Sequence, residues 1–477
     1  MKRTFALVVL AAACWATPAW AESHAEAAPK LETKIEIPSR VLANGLEVLV
    51  IPDSSLPLVT IEIAVRNGAY TEPAEYNGLS HLYEHMFFKA NSKLSSQEAY
   101  LKRQRELGMV WNGTTSAERV NYYFTLGSAD LEGGMEFMRD AIRTPVFKEE
   151  ELVKERQVVI GELERNQSNP YFHFRRAIDA KLWWKYPTRK DTIGDRKTIE
   201  TATVAKMQTV KGKFYIPNNS LLILAGDVDE ETGFAMAEKF FGDWERGEDP
   251  FKLDPVPPHP PLKGSEAVIV NKPVQVISGT LALHGPSVRK DPTATYAADV
   301  FSFILAQENS RFHKALVDSG LTLGAGISYY TLNQTGPINI SFATTPDKLD
   351  AAVAALLEEV SHFADDDYFT DEQIRTAKTL LAVDHIYGQE KMSSYAHTVS
   401  FWWAVAGLDY YTGYVDALQK VTREDMKKYV LDYVLGKNVV FGFILSEKAQ
   451  EAAGLTEAKA SAWAKPIKAA KKKKGGK

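Results

Sequence analysis

Two stretches of the chain alternate apolar and polar residues with a period of two, and each then gives way to a helical pattern. In the first, residues 60–65 (Thr60, Ile61, Glu62, Ile63, Ala64, Val65) lead through Gly68 to Glu72-Pro73 and a helix. In the second, residues 278–283 lead through Gly285 to Asp291-Pro292 and a helix. Alternation at period two is the pattern of a half-buried strand, and an acidic residue before proline suits a helix start. Continuous apolar runs at 220–226 and 439–445 read as the buried strands that close each half, and 135–143 and 351–363 read as amphipathic helices. Residues 249–264 hold Pro250, Pro255, Pro257, Pro258, Pro260 and Pro261, a density that sustains neither helix nor central strand and reads as an extended linker.

The pattern therefore predicts an α+β protein made of two homologous domains, each a sheet covered by helices and joined by the Pro-rich linker. The expected boundaries are 36–248 for the first domain, 249–264 for the linker and 265–450 for the second domain. A mature N-terminal segment (22–35) and a Lys-rich tail (451–477) flank them. At 477 residues, two hydrophobic cores are expected on size alone.

Composition narrows the function. A net charge of −5, from 56 basic and 61 acidic residues, provides no field for nucleic acid, and no apolar run is long enough for an integral membrane segment. Lys2 and Arg3, the apolar run from Phe5 to Ala13, and Ala19-Trp20-Ala21 read as a secretory signal cut after Ala21, which places the protein in the periplasm or otherwise outside the cytoplasm. The single cysteine, Cys14, leaves with that signal. Any metal in the mature chain must then be held by His, Asp or Glu. The terminal lysines (Lys465, Lys468, Lys471 to Lys474 and Lys477) read as a solvated end.

The chemistry sits in Gly78-Leu79-Ser80-His81-Leu82-Tyr83-Glu84-His85-Met86-Phe87-Phe88. Four residues apart on a helix, His81 and His85 stand one above the other and can share one zinc, with Glu84 on the adjoining face. This is the HxxEH order, the inverse of HExxH. A catalytic zinc needs a third protein ligand and an open position. The richest carboxylate segment, 149–164, forms a helix whose buried face is marked by Leu152, Val159 and Leu163. Glu155 and Glu162 repeat on one flank of that face. Spacing on one helix does not decide between them.

The combination of HLYEH with an E-x6-E pair, 76 residues separating His85 from Glu162, resembles the pitrilysin/insulinase family of zinc peptidases, in particular its smaller two-domain processing-type branch. Gly108 with Asn112-Gly113-Thr114-Thr115 is similar to the family's G…NAxT segment, and residues 215–219 with Gly226-Asp227 are similar to the end of its first domain. The resemblance implies a mostly antiparallel sheet in each domain and a chain that forms half of a clamshell. It makes His81, His85 and Glu162 the ligands of one Zn2+, Glu84 the general base, and Glu155 a carboxylate that orients the first histidine. It also places Asn112, Gly113, Thr114 and Thr115 on an edge strand that receives an extended peptide by main-chain hydrogen bonds.

One departure matters. Complete members carry an Arg and a Tyr in a segment like LRxxxGLxY. Here Val317 and Leu323 align with them in a segment one residue short. Neither side chain donates a hydrogen bond to developing negative charge, and nothing in the spacing brings the later Tyr329 or Tyr330 to the metal. The resemblance therefore implies the zinc-bearing subunit of a heterodimer, its partner a homologous chain that supplies the Arg-Tyr pair, with a homodimer as the nearest variant. The expected function is an exported zinc metalloendopeptidase acting on peptides or unfolded segments. The alternative is a non-catalytic scaffold or chaperone-like member of the same fold. The pairs Trp183-Trp184 and Trp402-Trp403 read as core or interface packing.

Overall fold

The computed structural model describes residues 36–471. The expected signal, the segment 22–35 and the last six residues of the tail lie outside the described residues. The first half holds a six-stranded sheet in the order β1-β2-β6-β3-β5-β4, and the second a five-stranded sheet in the order β7-β11-β8-β10-β9. The first sheet is built from β1 (Ser39–Val41), β2 (Glu47–Pro52), β3 (Leu58–Val65), β4 (Val110–Thr115), β5 (Val120–Gly127) and β6 (Ser220–Gly226). The second is built from β7 (Glu266–Asn271), β8 (Ile277–His284), β9 (Gly324–Tyr329), β10 (Pro337–Thr344) and β11 (Val440–Leu445).

Without β1, the two sheets have the same order. In both, the pairing of the first and last strands is parallel (β2 with β6, β7 with β11) and the other pairings are antiparallel. Each half thus repeats one α+β unit, as the two alternating segments predict.

The apolar closing strands explain how the halves join. Every residue of β6 and of β11 is buried, so these strands are covered on both faces. One face carries the helices of the same half: α1 (Leu79–Phe87), α2 (Leu131–Arg143) and α3 (Glu149–Gln167) in the first, and α5 (Pro292–Leu305), α6 (Leu349–Ser361) and α7 (Asp371–Tyr387) in the second. The other face is covered by a helix lent by the opposite half. From the first half, α4 (Pro170–Leu182) lays Phe174, Ile178 and Leu182 against Ala282, Val440 and Ile444 of the second sheet. Reciprocally, α8 (Met392–Val405) lays Ala396, Val399 and Trp403 against Ala64, Leu221 and Ile223 of the first.

Trp183 and Trp403 are each 1% exposed in these two interfaces, the packing role their sequence context suggests. Fully burying side chains of this size stabilises by about 1.5–3 kcal/mol or more each, so the two halves form one body rather than two beads on a linker.

Two expectations are corrected. The linker begins with a helical turn, Pro250–Leu253, because Asp249 accepts a hydrogen bond from the Phe251 N–H (2.9 Å) and proline is tolerated at the first helical position. The second domain does not end at 450. Helices Glu447–Ala453 and Glu457–Trp463 follow, and Leu455, Ala460, Ala464 and Ile467 are buried in its core. An Ala/Glu/Lys composition hid a helical apolar spacing there, and the chain is still tied to α6 at Ala470, whose N–H donates to the Ser361 carbonyl (2.9 Å).

Candidate metal centre

Helix α1 starts at Gly78, whose φ of 89° is a left-handed conformation open to glycine. Its N-terminus is held by Glu72: one carboxylate oxygen accepts from the Gly78 N–H (2.8 Å) and the other from the Ser80 N–H (2.6 Å). This satisfies orphan donors and places negative charge at the positive end of the helix. Burial pushes the Glu72 carboxyl up to about 7, and the two backbone donors pull against that.

The apolar face of α1 presents Leu79, Leu82, Tyr83, Met86 and Phe87 to the core, where Tyr83 stacks on Tyr215 (4.1 Å) and Phe87 on Tyr122 (3.7 Å). What this packing leaves on the other face is His81, Glu84 and His85.

Helix α3 lies across α1 and brings up Glu162. Its carboxylate oxygen is 3.6 Å from His81 Nε2 and 3.8 Å from His85 Nε2, and one ligand atom from each of the three residues lies within 4.8 Å of the others. Tetrahedral zinc with bonds of about 2.0–2.1 Å separates its ligand atoms by about 3.3 Å, and the two imidazole–carboxylate pairs, at 3.6 and 3.8 Å, stand within about half an ångström of that spacing. Two imidazole nitrogens and one carboxylate oxygen, with a fourth direction left open, suit a hydrolytic zinc. Burial, reinforced by the neighbouring His85, holds the His81 imidazole down to about 3, so it stays neutral, the form that ligates.

Tertiary contact separates the two carboxylates that spacing left equivalent. Glu155 lies one helix flank away from the ligand cluster and accepts a hydrogen bond from His85 Nδ1 (3.1 Å), while its other oxygen meets Lys89 Nζ (2.6 Å). Burial disfavours the Glu155 charge, but the His85 and Lys89 hydrogen bonds outweigh it and lower its pKa. The bond fixes the His85 tautomer with Nε2 free for metal. The expectation that Glu155 orients the first histidine is corrected: the contact is to the second. His81 Nδ1 is buried with no hydrogen-bond partner among the described residues. One helical turn decides this, because Glu155 lies seven residues before Glu162 and so faces the far end of the His pair.

Glu84 faces the edge of the first sheet. β4 is the terminal strand, paired only with β5, and Gly113 and Thr115 lie on the face that carries Tyr122 and Val120. Thr115 Oγ1 donates to Glu84 Oε2 (2.6 Å), and a Cβ on Gly113 would fall 2.8 Å from Glu84 Cγ. Burial raises the Glu84 pKa; the Thr115 hydroxyl works against it and the Glu162 charge adds to it. Asn112 is exposed, its side-chain oxygen accepting from the Gly113 N–H (2.9 Å), and Thr114 is half-buried on the opposite face.

The far end of β4 is anchored by the second half. Glu118 accepts from the backbone N–H groups of Asn333 and Gln334 (both 2.7 Å). Arg119 donates to the His397 carbonyl (2.6 Å) and to Ser400 Oγ (2.8 Å) on α8, and Glu62 accepts from Asn121 (2.9 Å) beside them.

The segment that aligns with the Arg-Tyr pair lies in the second half. Val317 sits in a π-helical turn, Lys314–Asp318, half-buried against the second core, and Leu323 is 64% exposed. Tyr329 spends its hydroxyl on the Pro286 carbonyl (2.9 Å). Sequence reasoning passed over Glu72 and Lys89. The first carried a signal in the acidic-Pro pair; the second, four residues after His85, became visible only through its partner.

Comparison with known proteins agrees with this geometry. The family described as insulinase (peptidase family M16) matches residues 47–196, and the peptidase M16 inactive domain matches residues 201–381. The chain belongs to the pitrilysin/insulinase family. His81, His85, Glu84, Glu155 and Glu162 all fall within the first match, and the inactive-domain match begins beyond them. An uncharacterized zinc protease of Rickettsia felis is 26% identical over 74% of this chain and 84% of its own length. Among solved structures, a protease from Helicobacter pylori superposes with a TM-score of 0.76 at 21% identity, over 86% of this chain and 99% of that one. The first half of the periplasmic protease PqqL from Escherichia coli superposes with a TM-score of 0.72 at 16% identity, over 90% and 96% respectively.

Proposed function

We propose that this insulinase-family chain is an exported zinc metalloendopeptidase acting on peptides or unfolded segments. The observation that carries the reading is the convergence of His81, His85 and Glu162 on one point, with the Glu84 carboxylate beside them and a free strand edge next to it. Bound there, zinc would supply a Lewis acid that acidifies water and polarises a peptide carbonyl.

The chain's own residues do the rest. Glu84 takes the proton of the attacking water and returns it to the leaving amine; its raised pKa suits a group that must both accept and release a proton near neutrality. Thr115 holds that carboxylate against the strand. Glu155 keeps His85 in the ligating tautomer. Along Asn112, Gly113, Thr114 and Thr115, alternate residues turn their main-chain groups away from β5 toward an extended peptide, which aligns its carbonyl by strand addition.

The residues aligned with the Arg-Tyr pair do not replace it: Val317 packs apolar and Leu323 is apolar and exposed, while of the tyrosines that follow, Tyr329 commits its hydroxyl to the Pro286 carbonyl and Tyr330 lies at the junction of the halves, 6.1 Å from the Phe401 ring on α8. The chain therefore acts as the zinc-bearing half of a pair, its partner a homologous chain with Arg and Tyr. That it superposes on one half of PqqL, a periplasmic protease, supports both the two-part assembly and export. The scaffold alternative is disfavoured by a complete ligand set inside the insulinase match. The test is zinc content together with cleavage of an unstructured peptide by the wild type and by Glu84→Gln, each alone and with a candidate partner. Zinc-loaded protein that never cleaves, in any combination, would leave the scaffold reading standing.

A further inference from the structure

Past Glu162 along α3, a cavity of about 1120 Å³ opens between the start of α4 and the part of the second sheet that α4 leaves uncovered. It continues into a second cavity of about 720 Å³, the two sharing Phe174, Arg175, Thr280 and Ser341. The floor of the larger one is made of small and hydroxyl residues: Ser278, Thr280 and Ser341, with Gly324 and Gly326 open to space. Its only charged lining residues are Arg165 and Arg175, and no carboxylate lines it.

Arg165 stands one turn after Glu162 on α3, with Nη2 3.9 Å from the Glu162 oxygen. That oxygen is not the one that faces the histidines, and at this distance, on a side chain 75% exposed, the contact leaves the guanidinium's N–H donors free for a ligand. Arg175 has no hydrogen-bond or ion-pair partner among the described residues; its guanidinium lies 5.9 Å from the Phe172 ring, and the nearest opposing field is that of Asp179 one turn on. The other basic residues of the smaller cavity, Arg176 and Lys190, are already spent. Arg176 is paired with Asp191, and Lys190 donates to the Gln334 carbonyl (3.2 Å).

We infer that Arg165 and Arg175 form a selectivity wall that takes a carboxylate side chain of the substrate, so that the enzyme prefers peptides with an acidic residue near the scissile bond. An extended chain advances about 3.3 Å per residue. A guanidinium one helical turn from a metal ligand is therefore reached by the second or third residue from the cleaved bond, and Arg175 by one further along. Guanidinium suits carboxylate by its planar, bidentate geometry, and the hydroxyl floor completes the carboxylate's hydrogen bonds. The inference rests on the peptidase reading for the nature of its ligand, but its test does not require turnover.

The experiment uses the full-length zinc-loaded Glu84→Gln chain and fluorescent decapeptides in which a single Glu is walked through a Gln background. Binding is read by anisotropy at low and high salt. At one or two positions the Glu peptide should bind about tenfold tighter than its all-Gln counterpart at low salt, with the gain shrinking at high salt. The double variant Arg165→Gln, Arg175→Gln should reduce that ratio below about twofold, Arg175→Lys should retain part of it, and Arg175→Glu should transfer the preference to a Lys peptide. A ratio near one at every position in the parent, or a preference that survives the double variant, overturns the inference. Acidic peptides that bind selectively yet are never cleaved by the wild type would break the peptidase reading alone. Equal binding of acidic and neutral peptides that are both cleaved would break this inference alone.

Discussion

The two halves of the molecule share a skeleton but not a chemistry. Their sheets follow the same strand order, and each is closed by a fully buried strand and capped by a helix from the other. Yet the helix that follows the second strand of the repeat differs in what it exposes. In the first half, α1 spends five residues on the core and presents two histidines and a glutamate. In the second, α5 buries Ala294, Ala297, Ala298, Val300, Phe301, Ile304 and Leu305, and its one acid, the half-buried Asp299, accepts from the Tyr414 hydroxyl (2.7 Å). Among the described residues, only the first half assembles a metal-ligand set. The skeleton needs hydrophobic periodicity and little else, whereas the site adds polar groups that the core would do without, such as the half-buried His81, whose Nδ1 is buried and unpartnered among the described residues.

The largest effect should come from removing that difference. His81→Ala, His85→Ala or Glu162→Gln should reduce bound zinc from one per chain to near zero and lower peptidase activity by at least about a thousandfold, while His385→Ala in the second half leaves metal content unchanged. Metal analysis of the purified chains decides it, and full occupancy in Glu162→Gln would remove that residue from the ligand set.

Glu84→Gln should keep the metal and lose about 10²–10⁴ in turnover, because an amide accepts no proton. A variant retaining most of its turnover would put the base elsewhere.

Next in size is the missing pair. A homologous chain offering Arg and Tyr should raise peptide turnover on mixing by at least about tenfold, each donor adding about 2–4 kcal/mol to the transition state. An isolated chain already as fast as any mixture would end the heterodimer reading. Size-exclusion chromatography reports the assembly independently.

Glu155→Gln should weaken zinc affinity by about 10–100-fold without abolishing it, since it loosens His85 rather than removing a ligand. Competition against a chelator measures it.

The smallest effect concerns the junction between the halves. Burial between β3 and α8 pushes the Glu62 carboxyl up to about 7, against the pull of Arg119 and the Ser400 and Asn121 hydrogen bonds. A carboxyl whose folded pKa lies above its ordinary value contributes stability that is complete below about pH 4.5 and is lost as pH rises through about 7. Glu62→Gln removes that dependence, so its melting temperature should gain on the wild type between pH 5 and pH 8, by a few degrees at most. Calorimetry across that range would show a flat difference if Glu62 were unperturbed. The depressed imidazoles of His81, His284 and His397 act in the opposite direction but are common to both proteins and cancel.

Much of this was legible along the chain. Strand alternation, apolar closing runs and acidic-Pro helix starts are local signals, set by the geometry of one element against water, and they placed β3, β6, β8 and β11 to within two residues. The His-Glu-His spacing is likewise local, because a helix alone brings residues four apart onto one face. The rest depends on contacts between segments far apart in sequence. Spacing left Glu162 and Glu155 equivalent; the family resemblance chose Glu162, and the crossing of α3 over α1 supplies the physical reason. Assigning Glu155 to His85 rather than His81 required the rise of one helix measured against another. The exchange of α4 and α8 between the halves and the arginine-walled cavity come from packing that no period along the chain encodes. Side-chain direction on one element is a property of the backbone; which partner it meets is decided only when the second element closes over it.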